Sequence, residues 1–283
     1  MSRNGVAWTA IPEVQVRMNM RSSGKNDMGW HAYCLSLLRR ELLGRARMLI
    51  VGRESEWLEK DLLRRNVFER CDVVGIPAQS QATSLSARAE NGIAGVRYFD
   101  ADLSSIRLPQ AMYDVVWCDV TLCHVGGLEH LVTQIAQSLQ PAGFLFAYEY
   151  VGADRLAIGP VQRAAVRAAF SLIPARYRRI PESPETVLKG VALPAPEGVP
   201  ESASLPVASS RVIRVLRDHF DLAQCRAIGG TLLQFVLRDI AGNFRSDDRV
   251  AVAILEMLFA IEDALIDSGE LESDFTLIIA KTK

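Results

Sequence analysis

The chain has 283 residues, of which 49% are hydrophobic and 23% are charged, and its formal net charge at pH 7 is −1. This composition is typical of a soluble globular protein that holds one large domain, or one domain with an insertion. The balanced charge does not favour nucleic-acid binding, which needs a basic face, and no apolar run in the sequence is long enough to span a bilayer.

The N-terminal residues and the cysteines bear on localisation. Residues 1–30 lack the apolar core of a signal peptide. The cysteines are odd in number and form no C-x-x-C pair; they are Cys34, Cys71, Cys118, Cys123 and Cys225. We therefore expect reduced thiols, a cytoplasmic protein and no metal site.

The first half of the chain alternates between β-rich and helical patterns. Short apolar segments rich in β-branched residues predict strands at 47–52, 71–76, 95–100 and 113–120, and a turn that feeds a fifth strand at 141–151. Amphipathic patterns predict helices at 56–65 and 129–140.

From Gly152 this alternation stops. Residues 159–179 read as a helix that ends before Pro174, and residues 180–210 are rich in proline and small residues. We expect the second of these segments to be a surface loop or lid rather than a packed element. The remaining patterns predict a helix, a strand, a long amphipathic helix and a closing strand, at 209–220, 221–228, 249–269 and 274–282.

Strands separated by helices predict an α/β fold with a mostly parallel sheet, and a helix between the two final strands suits a last strand that returns antiparallel. We expect an N-terminal helical extension at 1–44, a sheet core at 45–151, a helix with a proline-rich lid at 152–210 and completion of the sheet at 211–283. In such sheets ligands bind at the carboxyl ends of the strands.

Several phrases carry a likeness to a known family. In chain order they are "EWLEKDLLRRNVFERCDVVGI", "VRYFDADL", "YDVVWCDVTLCHVGGLEHL", "LQPAGFLFAYEYVGADR", "GGTLLQFVLRDIAGNF" and "FAIEDALIDSGELESDFTLIIAK". Over nearly the whole chain this pattern resembles the class I S-adenosylmethionine-dependent methyltransferases, in particular bacterial ones found alongside glycosyltransferases in surface-polysaccharide gene clusters. The resemblance implies a Rossmann-like class I methyltransferase fold with a seven-stranded sheet, a lid after the fifth strand and S-adenosylmethionine as cofactor.

In that family the loop after the first strand reads G-C-G-E-G and passes under the methionine part of the cofactor. The aligned residues here are Gly52, Arg53, Glu54, Ser55 and Glu56, so that one glycine remains. Glycine adopts positive φ at little cost, whereas Glu54 and Glu56 would do so only with strain. Their side chains would also occupy space that the cofactor normally uses.

A second departure follows the second strand. The resemblance implies an acidic residue there, which holds both ribose hydroxyls of the cofactor, but this chain has Pro77. Proline has neither a carboxylate nor an N–H donor, and losing a hydrogen bond to a charged group costs about 1.5–3 kcal/mol.

Other positions match the family pattern. The resemblance implies that Asp102, between Ala101 and Leu103, contacts the adenine amino group, and that Cys118 and Asp119 lie beside the cofactor at the end of the fourth strand. Asp102 could equally cap the turn that follows it.

On the acceptor side the resemblance points to His124 and Tyr150 as candidate catalytic residues. Histidine suits proton transfer near neutral pH, although His124 could equally be a structural residue at a helix start. Glu149 reads as a structural hydrogen-bonding group or as a buried acid near the acceptor, and His31 reads as a surface residue. The basic cluster at 176–179 could grip a phosphate or an acidic sugar, or be a solvated turn.

Three interpretations of the function stay open. The first is an active methyltransferase that transfers a methyl group to a hydroxyl of a sugar, a glycan or a related small molecule. The second is a catalytically inactive pseudo-methyltransferase that serves as a binding or scaffold partner of an active enzyme, and a third is reuse of the pocket for another ligand. The apolar stripe at 250–265 reads as core or as a dimer face rather than a ligand site. The partners to be considered are a small-molecule or glycan acceptor, a protein partner and a second copy of the chain.

Overall fold

The computed structural model describes residues 6–52, 56–75, 95–195, 197–198 and 205–283, without the side chains of residues 56, 57, 59 and 63. The chain forms two compact units. The sheet unit consists of Trp30–Val151, Ser202–Arg226 and Leu277–Lys283. The helical unit consists of Met1–Gly29, Gly152–Glu201 and Ala227–Thr276.

The strands of the described chain belong to one large sheet and one hairpin. In chain order they are β1 Ala46–Val51, β2 Phe68–Gly75, β3 Val96–Asp100, β4 Tyr113–Asp119, β5 Leu139–Tyr150, β6 Arg179–Ile180, β7 Ser183–Val187, β8 Phe220–Gly229 and β9 Phe275–Thr282. The large sheet has seven strands in the order β3-β2-β1-β4-β5-β9-β8, and β6 pairs with β7.

The α-helices precede and separate these strands in the chain. They are α1 Pro12–Ser23, α2 Trp30–Ser36, α3 Glu56–Arg64, α4 Leu128–Ser138, α5 Pro160–Ser171, α6 Val212–His219, α7 Leu233–Val236 and α8 Arg249–Asp267. Among the described residues, none of these helices combines the length and the apolar character that a membrane crossing requires.

The direction of the strands confirms the predicted fold class. β1 runs parallel to β2 and β4, and β4 runs parallel to β5. The backbone amide of Ala142, near the start of β5, donates to Thr282 Oγ1 at the end of β9 at 3.0 Å. The last strand is therefore antiparallel in an otherwise mostly parallel sheet. Met48 to Val51 in β1 are fully buried, as expected for a parallel strand that is covered on both faces.

Element boundaries differ from the predictions in three places. β2 begins at Phe68 rather than at 71, and β5 includes residues 139–140, which we predicted as the end of a helix, and residues 141–143, which we predicted as a turn. Ala142 has a φ of 62°, so the strand tolerates an irregularity there. The proline-rich segment also contains the hairpin of β6 and β7, whose residues are exposed or half-buried, and Asn243 Nδ2 donates to the carbonyls of Tyr177 and Arg179 at its start.

The two units cut across the segments that we expected. The predicted extension 1–44 is divided at Gly29, and the predicted segment 211–283 contributes to both units. Part of the reason lies in α1, whose Arg17 pairs with Glu262 of α8 inside the helical unit. The four-segment organisation stays a prediction about domains.

One buried carboxylate organises the helical unit. Glu262 of α8 is fully buried and lies 2.7 Å from Arg17. It accepts hydrogen bonds from the backbone amides of Gly230, Leu232 and Leu233, which precede and begin α7, at 3.1, 2.6 and 3.1 Å. The apolar stripe of α8 belongs to the core, with Ala251, Ile254, Leu255 and Leu258 buried.

Candidate active site

The site lies in the sheet unit, at the carboxyl ends of neighbouring parallel strands. β1 and β4 pair from Met48↔Val115 to Val51↔Cys118, so both strands end side by side. β5 continues past β4, and Asp119 lies opposite Tyr148. The residues that follow β4, numbers 120–124, are called the β4 turn below.

Gly52, which follows β1, is pressed against the β4 turn. Its φ is +140°, and its amide donates to Val74 O at 2.9 Å. A Cβ atom at this position would lie 2.1 Å from Thr121 Oγ1. The positive φ therefore favours glycine here, and a Cβ atom would also force the Thr121 side chain to move.

The β4 turn is strained at its first residue. Val120 has a φ of 44°, which is unusual for a β-branched residue, and its amide donates to Tyr148 O at 2.7 Å. Thr121 Oγ1 donates to Asp119 O at 3.0 Å. Strained backbone of this kind costs roughly 1–3 kcal/mol and clusters at functional sites, which makes the turn a candidate for function.

Glu149 of β5 holds the β4 turn from the neighbouring strand. Its carboxylate is fully buried and accepts hydrogen bonds from the amides of Thr121, Leu122 and Cys123 at 3.0, 2.9 and 3.4 Å. Burial raises the pKa of Glu149 to about 7, against the lowering effect of these amides, and Asp119 adds to the rise. Of the two readings of this residue, the geometry shows the hydrogen-bonding one.

His124 ends the short 3-10 helix Leu122–His124 within the β4 turn. Its side chain is half-buried, and Nδ1 is shielded from solvent without a hydrogen-bond partner among the described residues. A histidine that acts as a base is commonly oriented by a carboxylate on its second nitrogen. Among the described residues, no carboxylate accepts a hydrogen bond from Nδ1 of His124.

The other residues at the ends of β4 and β5 differ in exposure. Cys118 is fully buried, and its thiol pKa lies well above the usual value because of burial and of the charges of Glu149 and Asp119. A neutral buried thiol is a poor nucleophile. Asp119 is half-buried, whereas Tyr150 is buried at the end of β5.

Asp102 follows β3 and is exposed. Its carboxylate accepts from the amide of Ser104 at 2.9 Å and from Ser105 Oγ at 3.2 Å. The Ser104 amide is the main reason why the pKa of Asp102 is lowered. Asp102 therefore caps the turn, and its carboxylate still has lone pairs for a further donor. Beside it Ala101 donates to Gly75 O at 3.0 Å, and Leu103 is buried.

The two departures from the family pattern fall outside the described residues. Glu54 and Pro77 belong to ranges that the structure does not describe, and Glu56 begins α3 with its side chain outside the description. The predictions about these residues therefore stay predictions.

Sequence reasoning missed a cluster next to the site. Trp30 of α2 stacks on Tyr148 with ring centroids 5.7 Å apart, and it also contacts Trp117 at 5.8 Å. Its neighbour His31 lies with Nε2 3.1 Å from Asp61 Oδ2. Burial lowers the pKa of His31, which favours its neutral form. No local signal joins these residues, because they lie on separate elements.

The arginines of the basic cluster at 176–179 contact other residues of the helical unit. Arg176 donates to Tyr177 Oη at 2.8 Å, and Arg179 donates to Pro184 O at 2.6 Å. Arg178 lies over the ring of Phe170, 5.8 Å from its centroid. These contacts support the structural reading of the cluster. The described residues also contain no group of three or more His, Cys, Asp or Glu side chains that could hold a metal ion.

Comparison with known proteins adds one family match. Residues 51–147 match the model of a family described as a methyltransferase domain, which spans roughly a third of the chain. The match begins at the end of β1 and ends inside β5, so it includes Gly52, Asp102 and His124. No curated protein has a sequence that matches this chain.

Solved structures of several methyltransferases are similar to this chain at low sequence identity. A chain from the complex between the Haloferax volcanii Trm112 methyltransferase activator and the putative methyltransferase has a TM-score of 0.50 at 14% identity, over 95% of this chain and 96% of that chain. An S-adenosylmethionine-dependent methyltransferase from Mesorhizobium loti has a TM-score of 0.48 at 15% identity, over 89% and 96%. N-methyltransferase NodS from Bradyrhizobium japonicum WM9, in complex with S-adenosyl-L-homocysteine, has 0.42 at 9% identity, over 84% and 78%. The strand order of the large sheet and the likeness to the Haloferax volcanii chain show that this chain has the class I methyltransferase fold, and its residues 51–147 match a methyltransferase domain.

Proposed function

We propose that the protein is an S-adenosylmethionine-dependent methyltransferase that acts on a hydroxyl group of a sugar or a related small molecule. The observation that carries this proposal is the match of residues 51–147 to a methyltransferase domain. The sugar acceptor is supported by the resemblance of the sequence to methyltransferases of polysaccharide gene clusters.

The described residues fit the cofactor in two respects. Gly52 has the positive φ that the first glycine of a cofactor loop needs, and Asp102 presents an exposed carboxylate that can accept from an adenine amino group. In this proposal Gly52, Ala101, Asp102 and Leu103 would hold the cofactor together with Asp119. When bound, S-adenosylmethionine would supply the methyl group on its sulfonium.

The contribution of the chain itself is positioning and proton transfer. His124 stands in the β4 turn beside the carboxyl edge, and it would accept the proton of the acceptor hydroxyl. The strained backbone of the turn and its bonds to Glu149 keep His124 in a defined place. Correct placement of reacting groups supplies much of the rate of such displacements.

Calorimetric titration of the purified protein with S-adenosylmethionine and S-adenosylhomocysteine tests the proposal. We expect micromolar binding, which Asp102→Ala weakens by about tenfold or more because a hydrogen bond to a charged group is lost. Asp247→Asn is the control, because Asp247 is exposed in the helical unit and pairs with Arg245. No binding at millimolar ligand would contradict the proposal.

The role of His124 is tested by comparing histidines. In assays with sugar acceptors, we expect His124→Gln to lower kcat by about 100- to 10,000-fold while the affinity for S-adenosylhomocysteine stays within about twofold. His130→Gln is the matched control, since His130 lies on α4 and binds Ile106 O at 2.8 Å. A larger loss with His31→Gln would instead give the role of the base to the pair of His31 and Asp61.

The alternative function is an inactive methyltransferase that serves as a binding partner. It is favoured by Glu54, Glu56 and Pro77, which stand where the family has two glycines and an acid. The combined variant Glu54→Gly, Glu56→Gly and Pro77→Asp separates the two functions. If cofactor binding appears only in this variant, the inactive reading holds; if the native protein binds equally well, that reading fails.

A further inference from the structure

We propose that Glu149 is the positioning residue of the cofactor site: it fixes the β4 turn against Gly52 and so sets the shape of the start of the cofactor loop. The cofactor part of this inference rests on the proposed function. The positioning part rests on contacts among Glu149, the β4 turn and Gly52, all within the sheet unit.

The first step is that Glu149 supplies a cap that the turn lacks. The 3-10 helix Leu122–His124 begins after Thr121, whose side chain makes no capping hydrogen bond. Successive amides at such a start have no partner within the helix. The carboxylate of Glu149 accepts from three of them, at Thr121, Leu122 and Cys123, and it does so in a fully buried place. Without it these donors would be buried and unpaired.

The second step is that Thr121 transmits this position to Gly52. Its amide is bound by Glu149, and its Oγ1 occupies the space that a Cβ on Gly52 would need. Oγ1 is itself turned by its bond to Asp119 O. A shift of the Thr121 backbone therefore changes the surface against which Gly52 is packed.

The third step is that the β4 turn has a strained backbone conformation, which Glu149 helps to maintain. Val120 keeps a φ of 44° while its amide binds Tyr148 O, the residue next to Glu149 in β5. Two adjacent residues of β5 thus impose the conformation of the turn. On its other side Cys123 O accepts from the amides of Val207 and Ala208, so the turn stays attached when Glu149 is changed.

Hydrogen exchange tests the positioning directly and needs no ligand. In Glu149→Gln we expect the amides of Thr121, Leu122 and Cys123 to exchange at least about tenfold faster than in the native protein, because the acceptor loses its charge and an NH₂ group that cannot accept replaces one of the two oxygens. The matched control is Asp274→Asn in the helical unit. Asp274 is equally buried and accepts from the side-chain amides of Gln162 and Gln234. In this control the three amides should be unchanged.

Titration with S-adenosylhomocysteine then tests the consequence for the site. We expect Glu149→Gln to weaken binding by about tenfold to a hundredfold and Asp274→Asn to leave it within about twofold. A merely structural carboxylate would change the melting temperature in both variants and the affinity in neither. Equal affinities in the two variants would overturn the proposal.

Glu149→Asp keeps the charge on a shorter side chain and serves if Glu149→Gln does not fold. We expect it to expose at least one of the three amides to faster exchange, and native-like exchange at all three would overturn the proposal. If the native protein does not bind S-adenosylhomocysteine, the proposed function fails. Exchange at the three amides then decides alone whether Glu149 positions the turn.

Discussion

Gly52 is a residue whose identity is required by more than one contact. The resemblance to a family assigned it to the cofactor, because glycine lets the backbone approach a ligand. In the structure it also faces Thr121 Oγ1, at a distance that leaves no room for a Cβ atom. A glycine at this position would therefore persist even in a protein that no longer binds the cofactor, so Gly52 alone does not separate the active from the inactive reading.

Gly52→Ala should destabilise the protein by about 2 kcal/mol or more, because the new Cβ meets Thr121 and alanine is strained at a φ of +140°. The double variant Gly52→Ala with Thr121→Ala should recover the part due to the clash and not the part due to φ. Urea unfolding measures both changes. Gly126→Ala is the control, since its Cβ would have no atom within 4 Å. Equal losses in the single and double variants would show that Thr121 does not set the size limit at Gly52.

At the scale of elements, the same kind of capping interaction occurs in both units. A carboxylate from one element accepts hydrogen bonds from successive backbone amides where another short helix begins. Glu149 of β5 does this for the β4 turn, and Glu262 of α8 does it for the start of α7. Each carboxylate is fully buried, so each ties two elements together through groups that have no alternative partner in water.

Glu262→Gln should lower the free energy of unfolding by about 3 kcal/mol, because it breaks a buried ion pair with Arg17 and places an NH₂ group against backbone donors. The change should appear in chemical unfolding followed by circular dichroism. Glu256→Gln, an exposed position on the same helix, should change stability by about 0.5 kcal/mol or less. Similar losses at both positions would mean that the buried network adds nothing beyond the charge of α8.

At the scale of the whole molecule, buried carboxyls make stability depend on pH. Burial raises the pKa of both Glu149 and Asp274 to about 7. Between about pH 4 and pH 7 the folded state therefore binds more protons at these groups than the unfolded state does. Their contribution to stability is present at the acidic end of this range and is lost as the pH rises to about 7.

His31 acts in the opposite direction, because its pKa is lowered by burial and its contribution grows as the pH rises through about 6.5. Exposed carboxyls with lowered pKa values, such as Asp247 and Asp248, act at more acidic pH.

Comparing each variant with the native protein shows how much the raised pKa of Glu149 or of Asp274 contributes to the pH dependence of stability. Between pH 5 and pH 7 each should contribute a fall in stability of about 1 kcal/mol per pH unit at most, and Glu149→Gln or Asp274→Asn should each remove one such contribution. Thermal or urea unfolding across this range measures the slope, and His31 contributes equally to native protein and variants. An unchanged slope in Asp274→Asn would show that this carboxyl is ionised throughout.

Local patterns in the sequence were sufficient for most of the fold. The alternation of apolar strands and amphipathic helices predicted the class of the sheet and its antiparallel last strand, because burial on one or two faces leaves a period in the chain. It did not predict the hairpin of β6 and β7, at whose start Asn243, far along the chain, donates a hydrogen bond to Arg179 O. The order of phrases resembles the methyltransferase family, and the domain model of that family matches residues 51–147.

The sequence by itself determined the architecture, the carboxyl edge at which the candidate residues collect, and the glycine that ends β1. Only the tertiary structure decided that Thr121 fills the space at Gly52, that Glu149 binds the β4 turn, and that His31 meets Asp61. The physical reason is the distance along the chain between the residues that interact. A strand or a helix is specified by residues a few positions apart, whereas a buried carboxylate finds its amides, and a histidine its acid, on another element whose register the local pattern does not encode.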